Sequence, residues 1–264
     1  MREILDAVAS GDLSPAQAEA KLRSASELRS YTEASAGRFD AAREGRTGIP
    51  EAILASGKTA DETASMTVAA VESTGRAIVT RADDEDAAAC RQRLMNEDSS
   101  IEIERDSRAQ TLVARTAAYE PPNLAATVAV VSAGTADAAA AGEAAVTARE
   151  MGATVDRIDD VGVAGIGRLF DRLEAIREAD VVVVAAGREG ALPTVLAGLV
   201  EAPLIGLPTP TGYGHGGAGE AALSGMLQSC TPISVVNIDA GFTAGAQAGL
   251  VAKAVSTARN GGSN

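Results

Sequence analysis

The sequence has no tryptophan, three tyrosines and three phenylalanines among 264 residues. A core without large rings must be assembled from Ala, Val, Ile and Leu, as in buried parallel strands and the helices that cover them. Lysine is scarce: Lys21, Lys58 and Lys253 leave arginine to supply twenty of the 23 basic residues. Base is outweighed by 36 acids, for a net charge of −13. That balance repels DNA, RNA and anionic membranes, because phosphate binding depends on neutralisation by Lys and Arg. It reads as a surface tuned for solubility, in high salt among other settings, with an acidic partner-binding face as the alternative, and carries no information about a reaction. Two distant cysteines, Cys90 and Cys230, make neither a disulfide framework nor a zinc motif. No stretch approaches the roughly 18 apolar residues of a membrane span. The opening Met1-Arg2-Glu3-Ile4 lacks an apolar signal core. A reduced, cytoplasmic protein without nucleic-acid or membrane partners is the expectation.

What is present is a hydrophobic content of 46%, enough to bury one large core or two modest ones. The two halves differ in pattern. Residues 1–120 read as a smaller α+β region. Ser14-Pro15 caps a helix through Ala16–Leu28, and the polar stretch Ser30–Gly48 reads as loop. Thr59-Ala60-Asp61-Glu62 opens a helix to about Ser73. A strand at Ala77–Thr80, a helix at Asp84–Leu94 and a hairpin of Ile101–Glu104 with Thr111–Arg115 follow. Tyr119-Glu120-Pro121-Pro122-Asn123 is the linker, since two prolines end both helix and ladder.

Residues 121–264 alternate strictly. Strands are predicted at Thr127–Ser132, Thr154–Ile158, Val181–Ala186, Leu204–Leu207 and Val235–Ile238. Helices are predicted at Asp137–Met151, Ile166–Arg177, Thr194–Val200, Ala218–Gln228 and Ala244–Ala258. This is the pattern of an α/β doubly wound parallel sheet, whose ligands sit at the carboxyl ends of the strands.

The strand-end segments carry the chemistry. Ser132-Ala133-Gly134-Thr135-Ala136-Asp137 joins a strand to a helix start, where backbone N–H groups suit a phosphate. The alternative is a plain capped turn. Asp160-Val161-Gly162-Val163-Ala164-Gly165 offers small residues that let a ligand approach the backbone. In Ala186–Pro193, Glu189 beside Gly190 is a candidate acid/base at the end of a very apolar strand. The loop Pro208–Gly217 holds Gly212, Tyr213, Gly214 and the sole histidine, His215, a candidate proton carrier. Cys230 ends the segment Leu227–Pro232. A lone cysteine is most often a small buried hydrophobe, and as a nucleophile it would have to act as thiolate.

Together these segments resemble the PurE-like fold of aminoimidazole ribonucleotide (AIR) carboxylases, with flavodoxin-like layers. Nearly the whole chain resembles the LarB family. The resemblance rests on Val128–Asp137, Asp160–Gly165, Glu189–Pro193, Gly212-Tyr213-Gly214, Ser229-Cys230 and Val236–Asp239. In the N-terminal half, Arg46, Gly48-Ile49-Pro50-Glu51 and Gly57-Lys58-Thr59 also match.

The resemblance implies carboxylation of the pyridinium ring of nicotinic acid adenine dinucleotide by CO2. It also implies phosphoanhydride hydrolysis that releases AMP, the first step towards a nickel-pincer nucleotide cofactor. It makes Cys230 the nucleophile, Glu189 the proton-transfer group and His215 a candidate substitute. It assigns Ser132, Gly134, Thr135, Asp137, Asp160, Gly162, Gly190, Gly212, Tyr213 and Gly214 to substrate and phosphate. Arg46 and Lys58 become candidate phosphate contributors. Mg²⁺ and a homo-oligomer, an octamer as in PurE-like domains, are implied as well; the metal ligands are not. Two departures stand out. Gly167 replaces a histidine common in the family, and Asp159-Asp160-Val161-Gly162 stands where purine enzymes carry Ser-Ala-His-Arg. The alternatives are a PurE-type AIR carboxylase or mutase and a non-catalytic nucleotide-binding module.

Overall fold

The computed structural model describes residues 2–18, 31–35 and 37–261. The chain opens on α1 (Arg2–Ala9) and a helical turn at 15–18. The rest of the helix expected through Leu28 lies outside the described residues. The segment Ser30–Gly48, expected as loop, instead holds a ribbon and a helix. Strands β1 (Thr32–Ala34) and β2 (Gly37–Phe39) pair antiparallel, followed by α2 (Arg43–Thr47). The ribbon packs on the N-terminal core through the buried Phe39 and the partly buried Ala34, and α2 ends on the left-handed Gly48. Neither device produces a periodic pattern in a polar stretch.

Beyond it, β3 (Ile53–Leu54), β4 (Arg76–Thr80), β5 (Glu102–Asp106) and β6 (Thr111–Arg115) form a four-stranded sheet in the order β3-β4-β6-β5. Helices α3 (Ala60–Thr74) and α4 (Asp84–Glu97) pack on each other and flank it. Each starts with a capping box, Thr59 with Glu62 and Asp83 with Asp86. Cys90 is buried in this core against Thr67, and burial pushes its thiol pKa up.

The C-terminal domain is a five-stranded parallel sheet flanked by helices. Its strands are β7 (Thr127–Ser132), β8 (Thr154–Ile158), β9 (Val181–Ala186), β10 (Leu204–Pro208) and β11 (Ser234–Val235). The order is β11-β10-β9-β7-β8. The chain runs outward from β7 to β8, then returns to β9 on the other side of β7. The crevice beyond the carboxyl ends of β7 and β9 is therefore the topological switch point. All six residues of β9 are buried, as expected of a central strand covered on both faces.

Helices α5 (Ala138–Glu150) and α10 (Gly241–Gly261) cover one face. They approach closely because the contact is made of small residues: a Cβ on Gly245 would lie 2.3 Å from the Ala144 carbonyl oxygen. The other face carries α6 (Ile166–Phe170), α7 (Leu173–Arg177), α8 (Ala191–Ala197) and α9 (Glu220–Leu227). One helix was expected over Ile166–Arg177. It breaks at Asp171-Arg172, where Arg172 N–H bonds to the Leu169 carbonyl three residues back and tightens the turn. Strand β11 is shorter than expected: it is regular only at Ser234–Val235, and beyond it Val236 and Asp239 donate to β10, at the Gly206 and Pro208 carbonyls, before α10 starts.

The domains meet through buried charge. Glu150 is 1% exposed and pairs with Arg115 of β6 and Arg76 of β4, while Arg76 also reaches Glu44 at 2.8 Å. Arg81, just past β4, holds Asp239 at 2.8 Å and lies 3.8 Å from the buried Glu143 of α5. No helix among the described residues is long and apolar enough to cross a membrane.

Candidate active site

A cavity of about 520 Å³ opens at the switch point. Its walls are the segments that leave β7, β8 and β9, with Thr211 from the segment after β10. Gly134, Thr135 and Asp137 come from the first segment, Asp160 and Gly162 from the second, and Glu189 from the third. These are six of the residues expected from sequence.

The first segment is locked by Asp137, 4% exposed. Its Oδ2 accepts from the Gly134 N–H at 2.9 Å and its Oδ1 accepts from the Thr209 hydroxyl at 2.5 Å. The Gly134 N–H, expected to be free for phosphate, is thus already engaged, and Asp137 closes the turn. Ser132 is fully buried and donates to Asp159 at 2.7 Å, one layer below the cavity.

Close backbone approach shapes the walls. A Cβ on Gly162 would meet the Ala133 carbonyl oxygen at 2.5 Å, and one on Gly187 would meet the Thr211 carbonyl oxygen at 2.4 Å. Two non-glycine residues of the rim, Asp160 (φ 61°) and Arg188 (φ 54°), hold left-handed backbone, a costly conformation that concentrates at functional sites. Asp160 is ion-paired to Arg168, one residue past Gly167.

The remaining candidates lie outside the cavity wall. Gly190 starts α8 with a left-handed φ of 64°, packed on Ala222. Gly212, Gly214 and His215 sit on the exposed loop after β10. Tyr213 of that loop is 79% exposed, and its ring lies 4.6 Å from the Arg188 guanidinium. The hydrogen bond and charge of Arg188 hold the Tyr213 hydroxyl below its ordinary pKa. Cys230 is exposed on the connection between α9 and β11. Both of its neighbours bond to Thr194 of α8, which is not in the cavity wall: the Ser229 hydroxyl accepts from the Thr194 hydroxyl at 3.0 Å, and the Thr231 hydroxyl donates to the Thr194 carbonyl at 3.5 Å.

Arg46 pairs with Asp40 at 2.6 Å, and Lys58 Nζ donates to the Leu54 carbonyl at 2.7 Å; both sit within the N-terminal domain, outside the cavity wall. The residues that sequence reasoning passed over are Arg188, Thr209, Thr211 and Arg108. Arg188 stands inside a segment already singled out, as its sole base. Thr209 and Thr211 belong to the glycine-rich loop. Arg108 gave no signal at all.

A model described as AIR carboxylase matches residues 127–262. One described as LarB/PurE-like N-terminal domain matches residues 31–116. An uncharacterized protein of Methanocaldococcus jannaschii is 39% identical over 257 residues, covering 96% of this chain and 97% of its own length. The C-terminal half is thus a PurE-like α/β domain of the AIR carboxylase class. The chain as a whole belongs to the LarB family, a carboxylase family with this C-terminal domain.

Proposed function

We propose that the protein carboxylates the pyridinium ring of nicotinic acid adenine dinucleotide and cleaves its phosphoanhydride. The observation that carries this reading is the placement of Glu189 in a glycine-walled cavity at the switch point of a LarB-family chain. A pyridinium is electron-poor and does not attack CO2. Addition of the Cys230 thiolate to the ring gives a dihydropyridine whose enamine carbon is nucleophilic. That carbon forms the new bond to CO2. Glu189 then removes the proton from the carboxylated carbon, and the thiolate departs as the ring regains aromaticity. Water divides the phosphoanhydride into AMP and pyridinium-3,5-biscarboxylic acid mononucleotide.

The family also implies Mg²⁺. Among the described residues no group of three His, Cys, Asp or Glu could hold a metal ion. Asp137 is engaged by Gly134 and Thr209, and Asp160 by Arg168. These side chains do not fit a protein-held magnesium cage.

The test is incubation with the dinucleotide, bicarbonate and Mg²⁺, followed by mass spectrometry. Wild type releases AMP and the biscarboxylated mononucleotide and carries a transient adduct on Cys230. Cys230→Ala gives no carboxylated product, and Glu189→Gln loses about a hundredfold or more in rate. Full activity of Cys230→Ala sinks the mechanism. A PurE-type reaction on AIR is the second reading, favoured by the exposed position of Cys230 outside the cavity, since that chemistry needs no thiol. Turnover of that substrate, unaffected by Cys230→Ala, would establish it.

A further inference from the structure

The proposed substrate carries two phosphates, yet the cavity is lined by three carboxylates, Asp137, Asp160 and Glu189. Phosphates brought among carboxylates require compensating cations. Arg188 lines the cavity, Arg108 and Arg168 bond to the lining residues Thr135 and Asp160, and Arg157 pairs beside them. Arg168 is held by Asp160, and Arg157 by Asp106 and Asp159. Among the described residues Arg108 and Arg188 are in no ion pair: Arg108 contacts a neutral carbonyl, and Arg188 lies against the Tyr213 ring with the Glu189 carboxylate acting on it from the neighbouring position. Arg108 Nη2 donates to the Thr135 carbonyl at 2.8 Å, and the Arg188 guanidinium lies over the Tyr213 ring.

We propose that Arg108 and Arg188 grip the phosphoanhydride between them, so that the N-terminal domain supplies half of an anion clamp for the catalytic domain. The proposal rests on the dinucleotide reading. Arg188 lines the cavity, and Arg108 stands outside its wall, bonded to the lining residue Thr135. The Arg188 N–H donates to the Thr211 carbonyl at 2.7 Å, the Thr211 hydroxyl reaches the Ala136 carbonyl at 3.5 Å, and Arg108 holds the adjacent Thr135.

Arg108 is carried by the turn between β5 and β6, which Asp106 closes by accepting from the N–H groups of Arg108 and Ala109 at 3.0 and 2.9 Å. The turn is seated on α5, because Ala109 Cβ fills the space where a Cβ on Gly142 would come within 2.5 Å. Thr135 occupies one of the five guanidinium N–H groups of Arg108, and the other four can serve an anion. The anchor orients the guanidinium in advance, which lowers the cost of binding.

The experiment is calorimetric titration with the dinucleotide and, separately, with inorganic pyrophosphate. The proteins are wild type, Arg108→Gln, Arg188→Gln and Arg91→Gln, the last an exposed arginine of α4. Glutamine at 108 keeps a donor for Thr135 but loses the charge. Both rim variants should bind pyrophosphate about tenfold to a hundredfold more weakly, with flatter salt dependence and unchanged melting temperature. Arg91→Gln should match wild type. Wild-type affinity in Arg108→Gln, or no pyrophosphate binding by wild type, overturns the clamp. Weakened pyrophosphate binding in the rim variants of a protein that does not turn over the dinucleotide leaves the clamp standing and removes the substrate assignment instead.

Discussion

Replacing Thr209 by valine exchanges one hydroxyl for a methyl at a site 1% exposed, with little change of shape. The hydroxyl donates at 2.5 Å to Asp137, itself 4% exposed, and Asp137 keeps only the Gly134 N–H afterwards. A hydrogen bond to a carboxylate contributes about 1.5–3 kcal/mol, and a buried acceptor left short of a donor costs a comparable amount. Thr209→Val should therefore lose about 2–3 kcal/mol of stability, a melting shift of about 4–12 °C at this size. Urea unfolding followed by far-ultraviolet circular dichroism measures it. The decisive comparison is the same substitution made in Asp137→Ala. If Asp137 is the reason for the loss, its cost there falls by at least about 1 kcal/mol. An equal loss in both backgrounds, or one below about 0.5 kcal/mol in wild type, refutes the reasoning. Because Asp137 closes the Gly134–Asp137 turn, the same variant should weaken nucleotide binding.

Two further outcomes are expected. Gly187→Ala places a Cβ 2.4 Å from the Thr211 carbonyl oxygen and 2.7 Å from the Thr209 hydroxyl, so the cavity wall must move. It should cost about 1–3 kcal/mol and weaken pyrophosphate binding, read by the same titration; wild-type affinity would count against a role for this close approach. Burial, only partly countered by Arg81, raises the Glu143 pKa above its ordinary 4.5. The folded state then holds this proton more tightly than the unfolded chain. The contribution is most favourable below about pH 4.5 and is lost as pH rises through the elevated pKa. The melting temperature of Glu143→Gln relative to wild type should accordingly climb from about pH 4 towards neutrality and then level off. A difference that stays flat over that range contradicts the assignment.

Much of the catalytic domain was legible because its signals are local. Val181–Ala186 is apolar on both faces, and the strand limits at β7 and β9 follow directly from such runs, those of β8 from the turns that bound a short, largely polar strand. The capping box at Thr59–Glu62 marked the start of α3 in the same way. The segment 32–47 was missed because its short polar strands bury little beyond Phe39 and its five-residue helix buries no residue, so no apolar period marks either. The break between α6 and α7 escaped notice because Leu169, Leu173 and Ile176 continue one apolar pattern across it.

By itself the sequence determined the two-part organisation, the parallel sheet, the glycine-rich strand ends and the family. Each is written in periodicity, composition or motif. Tertiary structure alone decided which side chains share the cavity. It placed Glu189, Asp137 and Asp160 together, left Cys230 exposed on another connection, and paired Arg46 and Lys58 with Asp40 and the Leu54 carbonyl of their own domain. It also brought Arg108 to Thr135, 27 residues away in sequence, because Ala109 seats on Gly142 where two domains pack. That contact depends on the missing side chain of one residue and the turn geometry of another. No pattern within either segment encodes the pairing.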